Sequence, residues 1–468
     1  MSAEKIIEVL KHEKIAILGY GREGQSTYRF LRHLFPDREI GIADRNEEAL
    51  KNAFENSRDP VVLFGGEHYV EDLARAGYTS VFKSPGIPLK AIDDKIPQSC
   101  ITSQTELFIK AFKSRIVGIT GTKGKSTTTA LLAHMLKACG FDAVAVGNIG
   151  KPVLDLFFTD VPDRLYIFEM SSHMLETIRE SPKYAILLNI YEEHLDHYRS
   201  FSDYAQAKLN LFRYQSEDCY KVAGANVFDF TSGKLPGKGK TLFFNNGPAL
   251  SRYTENGAFI ENGRMIFHLE GNTWDIGSQE LQRQLPGEHN LGNILACLTL
   301  VGLIGTRYLE TACRAVSDFN GLPHRLEAFG TYKGIRFYDD SISTIPEAVL
   351  CAVKAVPAVY TLVIGGLDRG IDYSPLLDLL ASGVIPLILC LPATGHRLHR
   401  MLIEEGRDKK ARILDAEDME EAVKLAFQFT PEGGACLLSP AAASYGFYKN
   451  FEERGEHFKK LVKHMAET

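Results

Sequence analysis

Short continuous runs of Ile, Val, Leu and Phe recur along the chain, each followed by a longer stretch whose apolar residues return at helical spacing. Runs of this kind read as strands buried on both faces of a parallel sheet, with helices returning over them. They fall at residues 14–18, 39–43, 61–64 and 80–83, then at 116–120, 143–146, 165–168 and 184–189. After a break they resume at 335–338, 359–364, 387–391, 412–414 and 435–438. Between Cys219 and Gly277 the pattern changes to alternating runs such as Arg264 to Leu269, punctuated by Asn246-Gly247, Asn256-Gly257 and Asn262-Gly263, which predicts antiparallel hairpins. A Gly/Pro turn with charges, Phe319 to Glu327, reads as a hinge. The fold class is therefore α/β in three domains, at residues 1–103, 104–321 and 322–468, the central one carrying a β-rich extension.

Two glycine turns sit where such sheets bind ligands. The first strand runs into Gly19-x-Gly21-x-x-Gly24, and the second ends at Asp44, the spacing of a dinucleotide fingerprint in a Rossmann-like domain. A phosphate or diphosphate can rest on the helix N-terminus there, but the turn does not distinguish a dinucleotide from a nucleotide sugar. The second turn is Gly118-Ile-Thr-Gly121-Thr-Lys-Gly124-Lys125-Ser126-Thr127, between a strand and a helix. This is a phosphate loop with its first glycine displaced by one position. Backbone N–H groups, Lys125 and the Ser126 hydroxyl suit the phosphates and Mg2+ of a nucleoside triphosphate.

Further candidates follow at strand ends. Glu169 ends an apolar strand downstream of the phosphate loop, where a Mg2+ ligand is expected, and Met170-Ser171-Ser172-His173 follow it. Tyr191 to His197 packs two histidines and three acids into one loop, more like a metal or phosphate site than a core. Ser202 is read as the cap of a helix containing Lys208, which spacing alone leaves as a surface lysine. Asn290 and Asn293 open another helix, as caps or as base-reading amides. In the last domain, loops 339–344, 365–370 and 439–444 follow strands that share one sheet edge, which predicts a compact polar site.

Composition narrows the class. The 468 residues are 45% hydrophobic and 24% charged, with a net charge of -6, so no basic field for nucleic acid exists. Eight scattered cysteines without a C-x-x-C pair read as reduced core residues. With no signal-like N-terminus and no apolar run long enough to span a bilayer, the chain is expected in the cytoplasm, as a monomer without a membrane or nucleic-acid partner.

Taken in order, Gly-Thr-Lys-Gly-Lys-Ser-Thr, Glu169-Met-Ser-Ser, the Asn189 to Asp196 segment, Gly287-Glu-His-Asn290-x-x-Asn293 and Gly321-Leu-Pro-His-Arg325-x-Glu327 resemble the Mur ligases of peptidoglycan synthesis. Within that family the chain is most similar to the glutamate-adding branch. The residues that carry this are the Gly19 to Gly24 turn with Asp44-Arg45, Ser84-Pro85-Gly86-Ile87-Pro88, Gly147-Asn148-Ile149-Gly150, Gly366-Leu-Asp-Arg369-Gly and Leu438-Ser-Pro440-Ala-x-Ala-Ser444, followed by Lys449 to Gly455. Folylpolyglutamate synthase shares the ATP core but begins close to its phosphate loop, unlike this chain.

The resemblance implies an ATP-dependent carbon–nitrogen ligase that joins D-glutamate to UDP-N-acetylmuramoyl-L-alanine through an acyl phosphate, releasing ADP and phosphate. It assigns Gly19, Tyr20, Gly21, Asp44, Arg45, Ser84, Gly86 and Asn148 to the UDP-sugar. ATP falls to Gly121, Thr122, Lys123, Gly124, Lys125, Ser126 and Thr127, with Asn290, Asn293, Arg325 and Asp340. Two Mg2+ ions are implied at Ser126, Glu169, His194 and a carbamylated Lys208. Lys125, Glu169, His194 and Lys208 are the implied catalytic set, and Arg369, Ser444, Tyr445 and Phe451 surround glutamate. The pattern has Gln, Thr and Asp where this chain has Met174, Tyr191 and Glu193, and Lys where it has Ile342. That last departure keeps an L-glutamate-adding or otherwise differently selective relative as the alternative. A non-enzymatic ATP switch would not need Glu169, His194 and Lys208 together.

Overall fold

The computed structural model describes residues 3–148, 152–247, 256–281, 285, 289–319 and 321–467. They form two compact units, one of Met1–Leu281 with Glu288–Val316, the other of Gln282–Gly287 with Ser317–Thr468.

The first unit holds two sheets. In the N-terminal sheet, β1 (Ile15–Leu18), β2 (Ile40–Asp44), β3 (Val61–Gly65), β4 (Ser80–Lys83) and β5 (Ile101–Thr102) run in the order β3-β2-β1-β4-β5, all parallel. The strand order reverses at β1, and the Gly19 to Gly24 turn leaves β1 at this switch point, as expected of a ligand edge. The second sheet has β6 (Ile116–Thr120), β7 (Ala143–Gly147), β8 (Leu165–Glu169), β9 (Tyr184–Leu187), β10 (Tyr220–Gly224), β11 (Lys240–Asn245), β12 (Gly257–Glu261), β13 (Arg264–Leu269) and β14 (Asn272–Ser278). Its order is β14-β13-β12-β11-β10-β9-β6-β8-β7. All five residues of β6 are buried, which places the strand feeding the phosphate loop inside the sheet. The two sheets share a core, in which Phe30 meets Phe157 with ring centroids 5.0 Å apart.

The β-rich extension differs in part from expectation. Asn262 and Gly263, at φ 49° and 78°, do turn β12 into antiparallel β13. Asn246-Gly247 is no hairpin turn, because β11 and β12 pair in parallel and a two-residue turn can only reverse the chain. Asn256-Gly257 opens β12 instead of closing a hairpin. The second reversal, β13 to β14, is made by Glu270-Gly271 at φ 50° and 80°. Glu is an unusual residue for that conformation, so composition did not announce it.

The second unit carries β15 (Glu327–Tyr332), β16 (Ile335–Asp339), β17 (Val359–Ile364), β18 (Leu387–Cys390), β19 (Arg412–Asp415) and β20 (Ala435–Leu438), in the order β15-β16-β20-β17-β18-β19. Only the β15/β16 pair is antiparallel. Because β16, β20 and β17 are parallel neighbours, their C-terminal loops meet at one edge. Ala441 N donates to Ser343 O at 3.0 Å, and Leu367 pairs with Ala443.

Candidate active site

The phosphate loop is held by close backbone packing. Gly124, at φ 89°, begins the helix Lys125–Ala138, and a Cβ there would lie 2.6 Å from Asn293 Oδ1. A side chain at Gly121 would press on Leu188, which follows β9. Asn189 clamps the loop twice, accepting from Lys123 N (2.9 Å) and donating from Nδ2 to Lys123 O (3.1 Å). The Thr122 hydroxyl accepts from Tyr191 N (2.9 Å) and lies 2.9 Å from the Tyr204 hydroxyl. Lys125 Nζ folds over the loop, donating to the carbonyls of Gly121 and Thr122, both at 2.9 Å. Ser126 and Thr127 occupy the first turn of the helix, half-buried.

Lys208 is not the surface lysine that spacing alone suggested. It lies on the helix Phe201–Arg213, capped by Ser200 and not Ser202, since the Ser200 hydroxyl is the one that accepts from Asp203 N (3.1 Å). The side chain is 1% exposed and donates to Gly121 O at 2.8 Å, the same carbonyl that Lys125 uses. Burial, reinforced by the Lys125 charge, pushes its pKa well below the ordinary lysine value. Glu169, at the end of β8, is fully buried; Asn148 Nδ2 donates to its Oε1 at 3.0 Å, while its Oε2 has no hydrogen-bond partner. Asn148, assigned above to a sugar nucleotide, thus also fixes the carboxylate. A buried, unpaired carboxylate oxygen beside a phosphate loop suits a hard cation, so this donor set fits Mg2+.

Three imidazoles gather next to this group. His194, at φ 60°, lies with its ring 4.9 Å from that of His173, which in turn is 3.9 Å from His197. Burial and the neighbouring His197 and His194 bring the His173 pKa down to about 4, so it is neutral at physiological pH, and its Nε2 is buried without a partner. Glu193 takes an ion pair from Lys123 at 2.6 Å. Sequence reasoning marked the histidine loop and named His173 after Glu169 but did not bring them together, because their proximity joins two segments from different strands.

On the helix His289–Ile304, Asn293 donates to Asn290 Oδ1 at 2.9 Å; both are buried, and Asn293 packs against Gly124 of the loop. The Pro286-Gly287-Glu288 part of that motif and Ile149 to Lys151 lie outside the described residues.

At the edge of the first sheet, Asp44 accepts from Tyr20 N (2.7 Å) and Asn46 N (2.9 Å), bracing the glycine turn. Gly24 is obligatory because a Cβ there would overlap Gly19 O, and the Ser84 hydroxyl donates to that same oxygen at 2.8 Å. Gly21 has open space in front of it and Gly86 likewise, as an approaching ligand requires; Arg45 is exposed beside them.

In the second unit, buried Asp340 accepts from Leu326 N (3.1 Å) and the Ser439 hydroxyl (2.7 Å), and burial raises its pKa to about 6. Arg325 is exposed nearby, its charge acting on Asp340. Ser444 lines a cavity of about 260 Å³ with Gly366, Phe447, Tyr448 and Arg454. Arg369 is exposed and donates to Thr344 O at 2.8 Å, Tyr445 is exposed, and half-buried Phe451 opens the C-terminal helix. Arg454, part of the Lys449 to Gly455 motif but given no role from sequence, is 1% exposed and ties Ser341 to Ala442 through three hydrogen bonds of 2.8 to 3.0 Å.

The chain is similar to known proteins along nearly its whole length. Residues 119–301 match the model of the Mur ligase middle domain. A UDP-N-acetylmuramoylalanine--D-glutamate ligase of Geobacter sp. (strain M21) is 34% identical over 462 residues, covering 97% of this chain and 98% of that protein. Among solved structures, the MurC ligase of Thermotoga maritima matches with a TM-score of 0.53 at 19% identity, over 97% of this chain and 100% of that one. The MurF ligase of the same organism, in complex with ADP, matches with a TM-score of 0.52 at 17% identity, over 98% and 96%. The chain belongs to the Mur ligase family.

Proposed function

We infer that the protein is the ATP-dependent ligase that joins D-glutamate to UDP-N-acetylmuramoyl-L-alanine, in the cytoplasm and as a monomer. The observation that carries the reading is the convergence of Lys125 and buried Lys208 on Gly121 O beside the unpaired carboxylate oxygen of Glu169. That D-glutamate is the amino acid follows from the names of the full-length relatives. The division into domains at 1–103, 104–321 and 322–468 is part of the same reading, the first for the UDP-sugar and the last for glutamate.

In this mechanism the loop N–H groups and Lys125 hold the ATP phosphates, and Lys125 follows the charge of the transferring phosphoryl group. Ser126 and Glu169 would hold one Mg2+, and His194 with a carbamate on Lys208 would hold a second; when bound, the ions would neutralise charge on the phosphates. Burial and the neighbouring Lys125 charge, which push the Lys208 pKa well below the ordinary lysine value, favour the free amine whose lone pair carbamylation requires, and this supports that role for Lys208. Phosphorylation of the alanine carboxylate makes it an acyl phosphate, which the glutamate amine attacks with loss of phosphate. Asn290 and Asn293 are assigned to adenine, Arg325 and Asp340 to the phosphate and ribose ends of the nucleotide. Gly19, Tyr20, Gly21, Asp44, Arg45, Ser84, Gly86 and Asn148 are assigned to the UDP-sugar, and Arg369, Ser444, Tyr445 and Phe451 to glutamate.

The test is ADP release from ATP, Mg2+ and UDP-N-acetylmuramoyl-L-alanine, with D-glutamate and L-glutamate in separate reactions and product mass determined. ADP and amide product with D-glutamate are expected. Product with L-glutamate alone would transfer the chain to the other selectivity, and release with neither would remove the ligase reading.

A further inference from the structure

One buried carboxylate in the first unit gathers groups from both sheets, and nothing in the reaction as described uses it. Glu176 follows the short helix Ser172–Leu175, and its side chain is 8% exposed. Lys83, the last residue of β4 and 1% exposed, places Nζ 3.1 Å from Glu176 Oε2 and also donates to Ile87 O at 2.7 Å. Leu89 N donates to Glu176 Oε1 at 3.4 Å, so Glu176 holds both ends of loop 84–89. From the other side His197 Nε2 lies 3.4 Å from Oε1. His197 N and Tyr198 N both donate to His194 O at 3.1 Å, closing the turn that carries His194. Lys90 Nζ adds a direct strut to Asp196 O at 2.5 Å.

We propose that Glu176 is a positioning residue that locks loop 84–89 to the histidine loop 191–198, setting the acceptor's carboxylate in register with the phosphate loop. The inference rests on the ligase reading, which gives loop 84–89 to the UDP-sugar and His194 to the metal. Glu176 is the buried carboxylate at which these two loops from different sheets meet, and Lys90 bridges them beside it. A shared carboxylate makes the position of one depend on the other. Reacting atoms tolerate little displacement, so loosening the tie acts on both acceptor binding and turnover.

The experiment compares wild type, Glu176→Gln, Lys83→Met and the double variant Lys83→Met/Glu176→Gln in acceptor-dependent ADP release, with thermal unfolding alongside. Glu176→Gln is expected to raise the acceptor KM and lower kcat, each by about tenfold, while the KM for ATP stays within about twofold. Removing both charges relieves the uncompensated Lys83, so the double variant recovers Tm while the acceptor KM remains raised. Should Glu176→Gln fail to fold, the double variant alone decides. A double variant that regains wild-type KM and kcat together with Tm overturns the proposal, as does an unchanged acceptor KM in a folded Glu176→Gln protein. Absence of acceptor-dependent ADP release in the wild type overturns the ligase reading itself and this coupling with it.

Discussion

The phosphate-loop region and the polar cluster of the second unit are both buried and charged, yet they treat their polar atoms in opposite ways. Around the loop, Glu169 Oε2, His173 Nε2 and the hydroxyls of Thr120, Thr128 and Thr129 are buried without partners, and Lys208 and Lys125 share one carbonyl. In the second unit, Asp339 accepts from His324 Nδ1 (2.7 Å) and Ser341 N (2.9 Å), Glu327 accepts from Lys459 (3.0 Å), and Arg454 makes three hydrogen bonds. Among the described residues of that unit, Tyr373 alone leaves a buried side-chain oxygen or nitrogen unpaired. Unmet groups cost stability unless a ligand meets them, so the first region is built to receive charge and the second to stay rigid.

The largest expected effect breaks the first region without touching the fold. On the proposed role of Glu169 in holding Mg2+, Glu169→Gln should lower kcat by about 10³-fold. Its Tm should stay level or rise, because the substitution removes an unpaired buried charge; a large fall in Tm would erase the contrast drawn above. Next, Lys208→Ala should lose about 10²-fold in kcat and recover part of it with short-chain carboxylates, which would replace the oxygens of the proposed carbamate. Full activity in that variant would refute the carbamate.

The second region should respond in stability. Arg454→Met leaves the Ser341 and Ala442 carbonyls without their donor and should cost about 3 kcal/mol in denaturant unfolding. Asp340 sharpens the contrast by pH. Its folded pKa, about 6, lies above the ordinary 3.8, so its contribution is fully present below the unfolded value and is lost as pH rises through about 6. Relative to Asp340→Asn, the wild type should lose up to about 3 kcal/mol between pH 4 and pH 7. Parallel stability profiles for the two proteins would show that the carboxylate is not desolvated. The smallest effect is at Asn293→Ala, expected to raise the KM for ATP by about fivefold with kcat nearly unchanged.

The elements around the site were legible because each rests on local chemistry. A run of β-branched residues followed by glycines and Lys125-Ser126 makes a strand, loop and helix wherever it is placed, and the apolar runs ending at Asp44, Glu169 and Ser439 marked a sheet edge each time. The hairpin reading failed where pairing is non-local: Asn246-Gly247 has the composition of a tight turn, but β12 lies parallel to β11. Spacing could not find Lys208, since a lysine becomes buried only through the packing of its helix against a loop 87 positions away in sequence. His173 beside His197 and Glu176 under Lys83 are likewise unions of distant segments.

What the sequence determined by itself is therefore the phosphate-loop chemistry, the α/β class and, through the order of its motifs, the family. Which carboxylate is left unpaired, which lysine is stripped of water and which acid ties two loops together were decided by tertiary structure alone. The reason is physical: hydrogen-bonding type belongs to a residue, whereas desolvation and the supply of partners belong to everything packed around it.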